Sequence, residues 1–154
     1  NLALLKQTTP FPLTVFSYDK EWKGTVDKLL GYWSVLQYID DDEIVVFVDA
    51  FDVFGNGFDG HELLRRYFTF GRPIVISTEE NVFPREAGEQ AVLAIEAMGK
   101  LGYVDLSQPS RFLNAGGIIG VAWALRKIYN DMREKMQANN PHHLMDHSDW
   151  VGHW

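Results

Sequence analysis

Apolar positions along this chain follow two different periods. Val26, Leu29, Leu30, Trp33, Leu36 and Ile39 recur at the three- and four-residue spacing of one helix face, which predicts an amphipathic helix over 25–39. Immediately afterwards Ile44, Val45, Val46, Phe47 and Val48 run without a polar interruption, the pattern of a strand buried on both faces. "PIVIST" at 73–78 and "GIIGVA" at 117–122 read as two further strands, the second of them buried. "LTVF" at 13–16 is a shorter strand candidate after the proline-rich opening. Helical spacing returns at Leu125, Ile128, Tyr129, Met132 and Met136, predicting a helix that runs to about residue 137. Asp59 stands where it would cap a short helix over 60–68, and 86–100 carries a weaker apolar stripe. Strands that alternate with helices and stay apolar throughout predict an α/β domain with a mostly parallel sheet. The 154 residues suit one such domain, 1–154, and show no internal repeat or low-complexity segment.

Composition narrows the partners more than the fold. An apolar content of 46% with 23% charged residues is that of an ordinary globular protein, which excludes a disordered chain. The net charge of -7 repels nucleic acid and anionic membranes, so a phosphate-bearing ligand needs a local cation or backbone donors. Asp40, Asp41, Asp42 and Glu43 read as a solvated turn ahead of the strand. The absence of cysteine excludes disulfides and thiolate metal sites. No apolar run reaches the roughly 20 residues of a membrane-spanning helix, and no stretch of the 154 residues reads as a signal peptide. The abrupt start at Asn1 and the aromatic-rich end at Trp154 read as cuts in a longer chain.

The charged residues that matter for chemistry follow the strand 44–48. Asp49 and Asp52 sit where that strand leaves the sheet, and in parallel α/β sheets ligands bind outside such strand ends. Two carboxylates at the edge of a core are costly unless something positive is bound. Magnesium and manganese commonly use one or two carboxylates together with substrate phosphates. The same spacing also fits a turn followed by a helix cap, and from this stretch alone the two readings stand level. A phosphoaspartate enzyme is a weaker third reading. It wants the second Asp two residues on, whereas here the interval is three.

Four segments taken in order break the tie: "EWKG" at 21–24, "VDAFDV" at 48–53, "STEENVFP" at 77–84 and "RFLNAGGIIG" at 111–120. Together they closely resemble the glycosyltransferase domain of the procollagen lysyl hydroxylase/glycosyltransferase family, over about residues 12–149. The resemblance implies the GT-A nucleotide-sugar transferase fold, with a Rossmann-like sheet flanked by helices. It also implies a manganese (or magnesium) ion and a UDP-sugar donor. Asp49 and Asp52 match the family's metal-binding acid pair. Trp22 matches a tryptophan near the donor nucleotide, and Glu79 an acid that follows the next strand. Phe83 stands where the family usually has tryptophan, in a loop over the sugar; it keeps the apolar face but lacks the indole donor. Asn114, Gly116 and Gly117 match the segment beside the transferred sugar, where glycine allows close approach and an amide can bond a hydroxyl. Asp149, in "DHSDW", matches an acid leading the family's late helix, while Trp150 replaces the usual glutamine.

By the same resemblance, the family's first strand would lie before Asn1 and the histidine completing its metal shell after Trp154. His142, His143 and His147 read as solvated loop residues, and His61 as a residue of an exposed helix. The function implied is transfer of glucose or galactose from a UDP-sugar to a hydroxyl acceptor, hydroxylysine or galactosyl-hydroxylysine of a collagen-like polypeptide. Such relatives act in the endoplasmic reticulum. The competing reading is a catalytically silent GT-A-like domain that serves as a binding or structural module.

Overall fold

The strand that decides the topology is β3 (Phe112–Val121), which lies between β1 (Ile44–Val48) and β2 (Ile74–Glu79) and runs antiparallel to both. The computed structural model describes residues 2–9, 13–16, 21, 25–50, 53, 59–82 and 88–139. Its helices are α1 (Leu2–Thr8), α2 (Thr25–Leu36), α3 (Gly60–Thr69), α4 (Gly88–Lys100) and α5 (Ala122–Asn139). The class is mixed α/β, as expected. The mostly parallel sheet is not what the described strands form: no pair among them is parallel. β1 and β2 do point the same way, but β3 enters from the opposite direction and separates them.

The expected strand 44–48 forms with those bounds, and the one at 73–78 is displaced by a residue to Ile74–Glu79. Pro73 has no N–H for the ladder, but its carbonyl accepts from Val121 N at 3.0 Å and from the Tyr67 hydroxyl at 2.8 Å. β3 begins five residues before the expected 117 and ends before Ala122, which already belongs to α5. The Asn and Gly residues of 114–117 favour loops locally, and bonding on the β1 side, where Gly117 pairs with Val48 and Gly116 O accepts from Asp49 N, keeps them in the strand. β1 is not buried on both faces: Phe47 is buried and its neighbours are half-buried. Its second edge borders a cavity of about 1370 Å³ whose wall includes Leu13, Phe16 and Leu64. Residues 13–16 form no strand, although Phe16 packs edge-on against Tyr32 and Phe47.

Between Ile76 and Thr78 the β2–β3 register slips: these pair with Ile118 and Leu113, so two steps along β2 face five along β3. Bulges bend a strand and redirect its side chains. Here the redirected stretch is 114–117.

The core lies where α2 and α5 pack on the sheet, around Leu36, Leu125, Phe47, Ile118 and Ala122. Tyr32 stacks on Phe47 with ring centroids 4.1 Å apart, and Tyr129 meets both rings edge-on. Trp33 Nε1 donates to Asn130 Oδ1 at 2.7 Å, tying α2 to α5. α2 stops at Leu36, three residues short of the expected end. Arg126 explains this stop. Its Nε and Nη2 donate to Leu36 O at 3.0 and 2.8 Å, and Nη2 also reaches Ile39 O. The carbonyls that a longer helix would bond internally are therefore capped from α5.

The acidic turn is exposed, as expected, but it is also structural. Glu43 O accepts from Ala122 N at 2.8 Å and Asp41 O from Trp123 N at 3.1 Å, so the turn's backbone caps the start of α5. Asp59 caps α3 as expected, accepting from Glu62 N at 2.8 Å. α4 covers the described part of the helix expected over 86–100. α1, too short to show a period, has no counterpart in the sequence reading. Among the described residues no helix is long and apolar enough to cross a membrane.

Candidate active site

Because β1 and β2 point the same way, their carboxyl ends lie at one end of the sheet, and the bulged stretch of β3 lies there too. Asp49 is the first residue beyond β1, and its backbone N donates to Gly116 O at 3.1 Å, prolonging the β1–β3 ladder by one bond. Within the bulge Asn114 is half-buried, and its Oδ1 accepts from Gly116 N at 2.6 Å. The two carbon-bound oxygens that result, Asp49 Oδ2 and Asn114 Oδ1, converge on the space where Gly116 has no side chain. A Cβ there would lie 2.8 Å from the first and 2.7 Å from the second. Gly117 leaves room for Ser77, whose Oγ would be 3.0 Å from a Cβ at that position and donates to Asn114 O at 3.0 Å.

A cation completes the group. Lys28, on α2 and 21 residues before Asp49, donates from Nζ to Asp49 Oδ1. Its ammonium also lies 5.9 Å from the centroid of the Tyr32 ring. Tyr32 supports the site from beneath, its hydroxyl donating to Ala115 O at 3.4 Å. Burial, then the Asp49 charge, then Tyr129 push that hydroxyl far above the ordinary tyrosine range, so it stays a neutral donor. Asp49 and Lys28 keep about a third and a quarter of their side-chain surface exposed, so the pair is open to ligands and screened by salt.

Four sequence-predicted residues thus come together: Asp49, Asn114, Gly116 and Gly117. Glu79 does not join them. It pairs through its backbone with Phe112, on the far side of the register slip. Asp52, Trp22, Phe83, Asp149, Trp150, His142, His143 and His147 lie outside the described residues. His61 is exposed on α3, as expected. No group of three or more His, Cys, Asp or Glu that could hold a metal occurs among the described residues. The oxygens that are present, a carboxylate and an amide carbonyl, are of the hard kind that suits magnesium or manganese.

Sequence reasoning missed Lys28, Tyr32 and Ser77. Lys28 and Tyr32 are four apart and share a helix face, which was a usable signal. Nothing local marks Ser77.

The model of the PLOD GT domain family matches residues 7–143. The chain belongs to that family. Among curated relatives, it is 28% identical to procollagen-lysine,2-oxoglutarate 5-dioxygenase 1 of Gallus gallus over 136 residues, covering 81% of this chain and 17% of the relative. It is 29% identical over 147 residues to multifunctional procollagen lysine hydroxylase and glycosyltransferase LH3 of Homo sapiens, covering 87% and 18%. The chain therefore spans about a sixth of the length of these PLOD relatives. The family match bears out the resemblance read from the four segments.

Proposed function

We propose that this PLOD GT domain binds a UDP-sugar through a divalent cation and transfers glucose or galactose to a hydroxyl acceptor, with the GT-A fold. The observation that carries this reading is the convergence of Asp49, Asn114 and the side-chain-free Gly116 at the carboxyl end of β1. Asp49, with Asp52 by the family resemblance, would hold manganese or magnesium. Bound there, such an ion supplies Lewis-acid neutralisation of the departing diphosphate. The chain's own residues do the rest. Asn114 offers an amide to the donor sugar, and Gly116 and Gly117 leave room for close approach.

By the resemblance, Trp22 lies near the nucleotide, Phe83 covers the sugar and Glu79 belongs to the donor side. Asp149 either orients the acceptor hydroxyl or bonds the donor sugar. In the transfer the bond between the anomeric carbon and the diphosphate oxygen breaks, the acceptor oxygen bonds that carbon, and the acceptor proton leaves to a base. Positioning and electrostatics account for most of the rate in such a scheme. The relatives' names point to lysine of procollagen. We accordingly assign hydroxylysine or galactosyl-hydroxylysine of a collagen-like polypeptide as acceptor, met in the endoplasmic reticulum lumen.

Calorimetric titration of the intact protein with UDP, with and without manganese, tests the reading. Nucleotide binding should require the metal and be lost in Asp49→Ala. Metal-independent binding, or binding unchanged in Asp49→Ala with Asp52→Ala, would overturn it. Asp149→Asn should lower turnover by about a hundredfold, the scale of a lost acid–base group, and leave UDP affinity nearly unchanged. Equal loss of both would reassign Asp149 to the metal shell or the fold.

A further inference from the structure

The feature of the site that the family reading leaves unused is the contact between Lys28 and Asp49. A carboxylate already balanced by a touching ammonium is a poorer metal ligand. Seating a divalent cation on Asp49 brings two positive charges together unless the ammonium moves away. Lys28 is built to move: its charge sits at the end of a flexible four-carbon stem. The stem leaves α2 one turn before Tyr32, whose ring face is within cation–π range of the ammonium at 5.9 Å. The ammonium is therefore in contact with the carboxylate and near the ring face at once, and the ring face stays within its reach when the carboxylate is taken by another cation.

We propose that Lys28 is an exchangeable latch on Asp49: it neutralises the carboxylate in the metal-free protein, yields it to the divalent cation, and then pairs with the diphosphate. This rests on the metal-dependent transfer proposed above. The latch fixes an order of binding, metal before nucleotide. It also keeps an unpaired carboxylate from standing at the edge of the core beside buried Tyr32 and half-buried Gly116 when no ligand is present.

Two effects of opposite sign follow from Lys28→Met, which keeps the length of the stem and removes the charge. Manganese alone should bind more tightly, by roughly fivefold, the upper end for a pair this exposed. UDP, titrated at saturating manganese, should bind more weakly by at least a similar factor. Lys28→Arg keeps the charge, and its bidentate fork should hold Asp49 at least as firmly, so manganese should bind no more tightly than to the unmodified protein. Free manganese measured by its electron paramagnetic resonance signal gives the first affinity, and calorimetry the second. Unchanged or weaker manganese binding in Lys28→Met, with Asp49→Ala still abolishing it, would overturn the latch and leave the metal site standing. Manganese binding that survives Asp49→Ala would overturn both. Should Lys28→Met melt well below the unmodified protein, Lys28→Gln carries the same two comparisons.

Discussion

Gly116 and Asp49 cannot both keep their places if position 116 carries a side chain: the missing Cβ would lie 2.8 Å from Asp49 Oδ2. Real Cβ contacts essentially never fall below 3.0 Å. Gly116→Ala should therefore displace the Asp49 carboxylate or the Asn114 amide, and lower metal-dependent UDP affinity by at least about tenfold. The atoms that must give way are side-chain oxygens, so the loss of stability should fall at the low end of the about 1–3 kcal/mol that overpacking costs. Gly117→Ala meets the Ser77 hydroxyl at 3.0 Å, which can rotate, and Ser77 Cβ at 3.3 Å, both longer than the contacts at 116, so its effects should be smaller. Calorimetry and thermal unfolding of the two variants side by side check the ranking; equal effects would refute it.

Arg126 holds the end of α2 by capping the Leu36 and Ile39 carbonyls, while its ion pair with the exposed Asp41 adds little. Arg126→Met strands part-buried carbonyls without emptying the space. The expected loss is about 2–3 kcal/mol, read as a lower urea midpoint at unchanged slope. The Lys28–Asp49 pair is elsewhere, so UDP binding should hold once the variant is folded.

The pH dependence of α3 rests on Glu62 in its first turn. Hydrogen bonds from Arg65, then Arg66, hold the Glu62 carboxyl down to about 2 from its ordinary 4.5. A lowered carboxyl stabilises the folded state above its unfolded value, so the contribution is complete above pH 4.5 and disappears as pH falls toward 2. The two guanidiniums are exposed and the Glu62 carboxylate is partly so, so salt should screen the cluster. NMR titration of Glu62 should show the low midpoint rising toward the ordinary value in 1 M salt, about the concentration at which screening reaches 3 Å. A midpoint insensitive to salt and to Arg65→Gln would refute the assignment.

Residues that answer to their immediate neighbours were legible in advance. Asp59 caps α3 because its side chain reaches an N–H three residues away, and 44–48 is a strand because apolar β-branched residues crowd it. Asp49 at the end of that strand followed from the same short stretch. The segments "FLNAGGIIG" and "VDAFDV" carried the family, since their order along the chain is itself sequence information.

What the sequence by itself determined, then, is which stretches are apolar, what caps them, and which acids lie at their ends, all set by interactions within a few residues. The tertiary structure alone decided that β3 runs back between β1 and β2, that α2 ends where Arg126 meets it 90 residues on, and that Lys28, 21 residues earlier in the chain, pairs with Asp49. Periodicity reports that a face is buried but not against what. The choice of partner depends on packing and charge summed across the whole core, where contacts distant in the chain compete, and no local pattern encodes that competition.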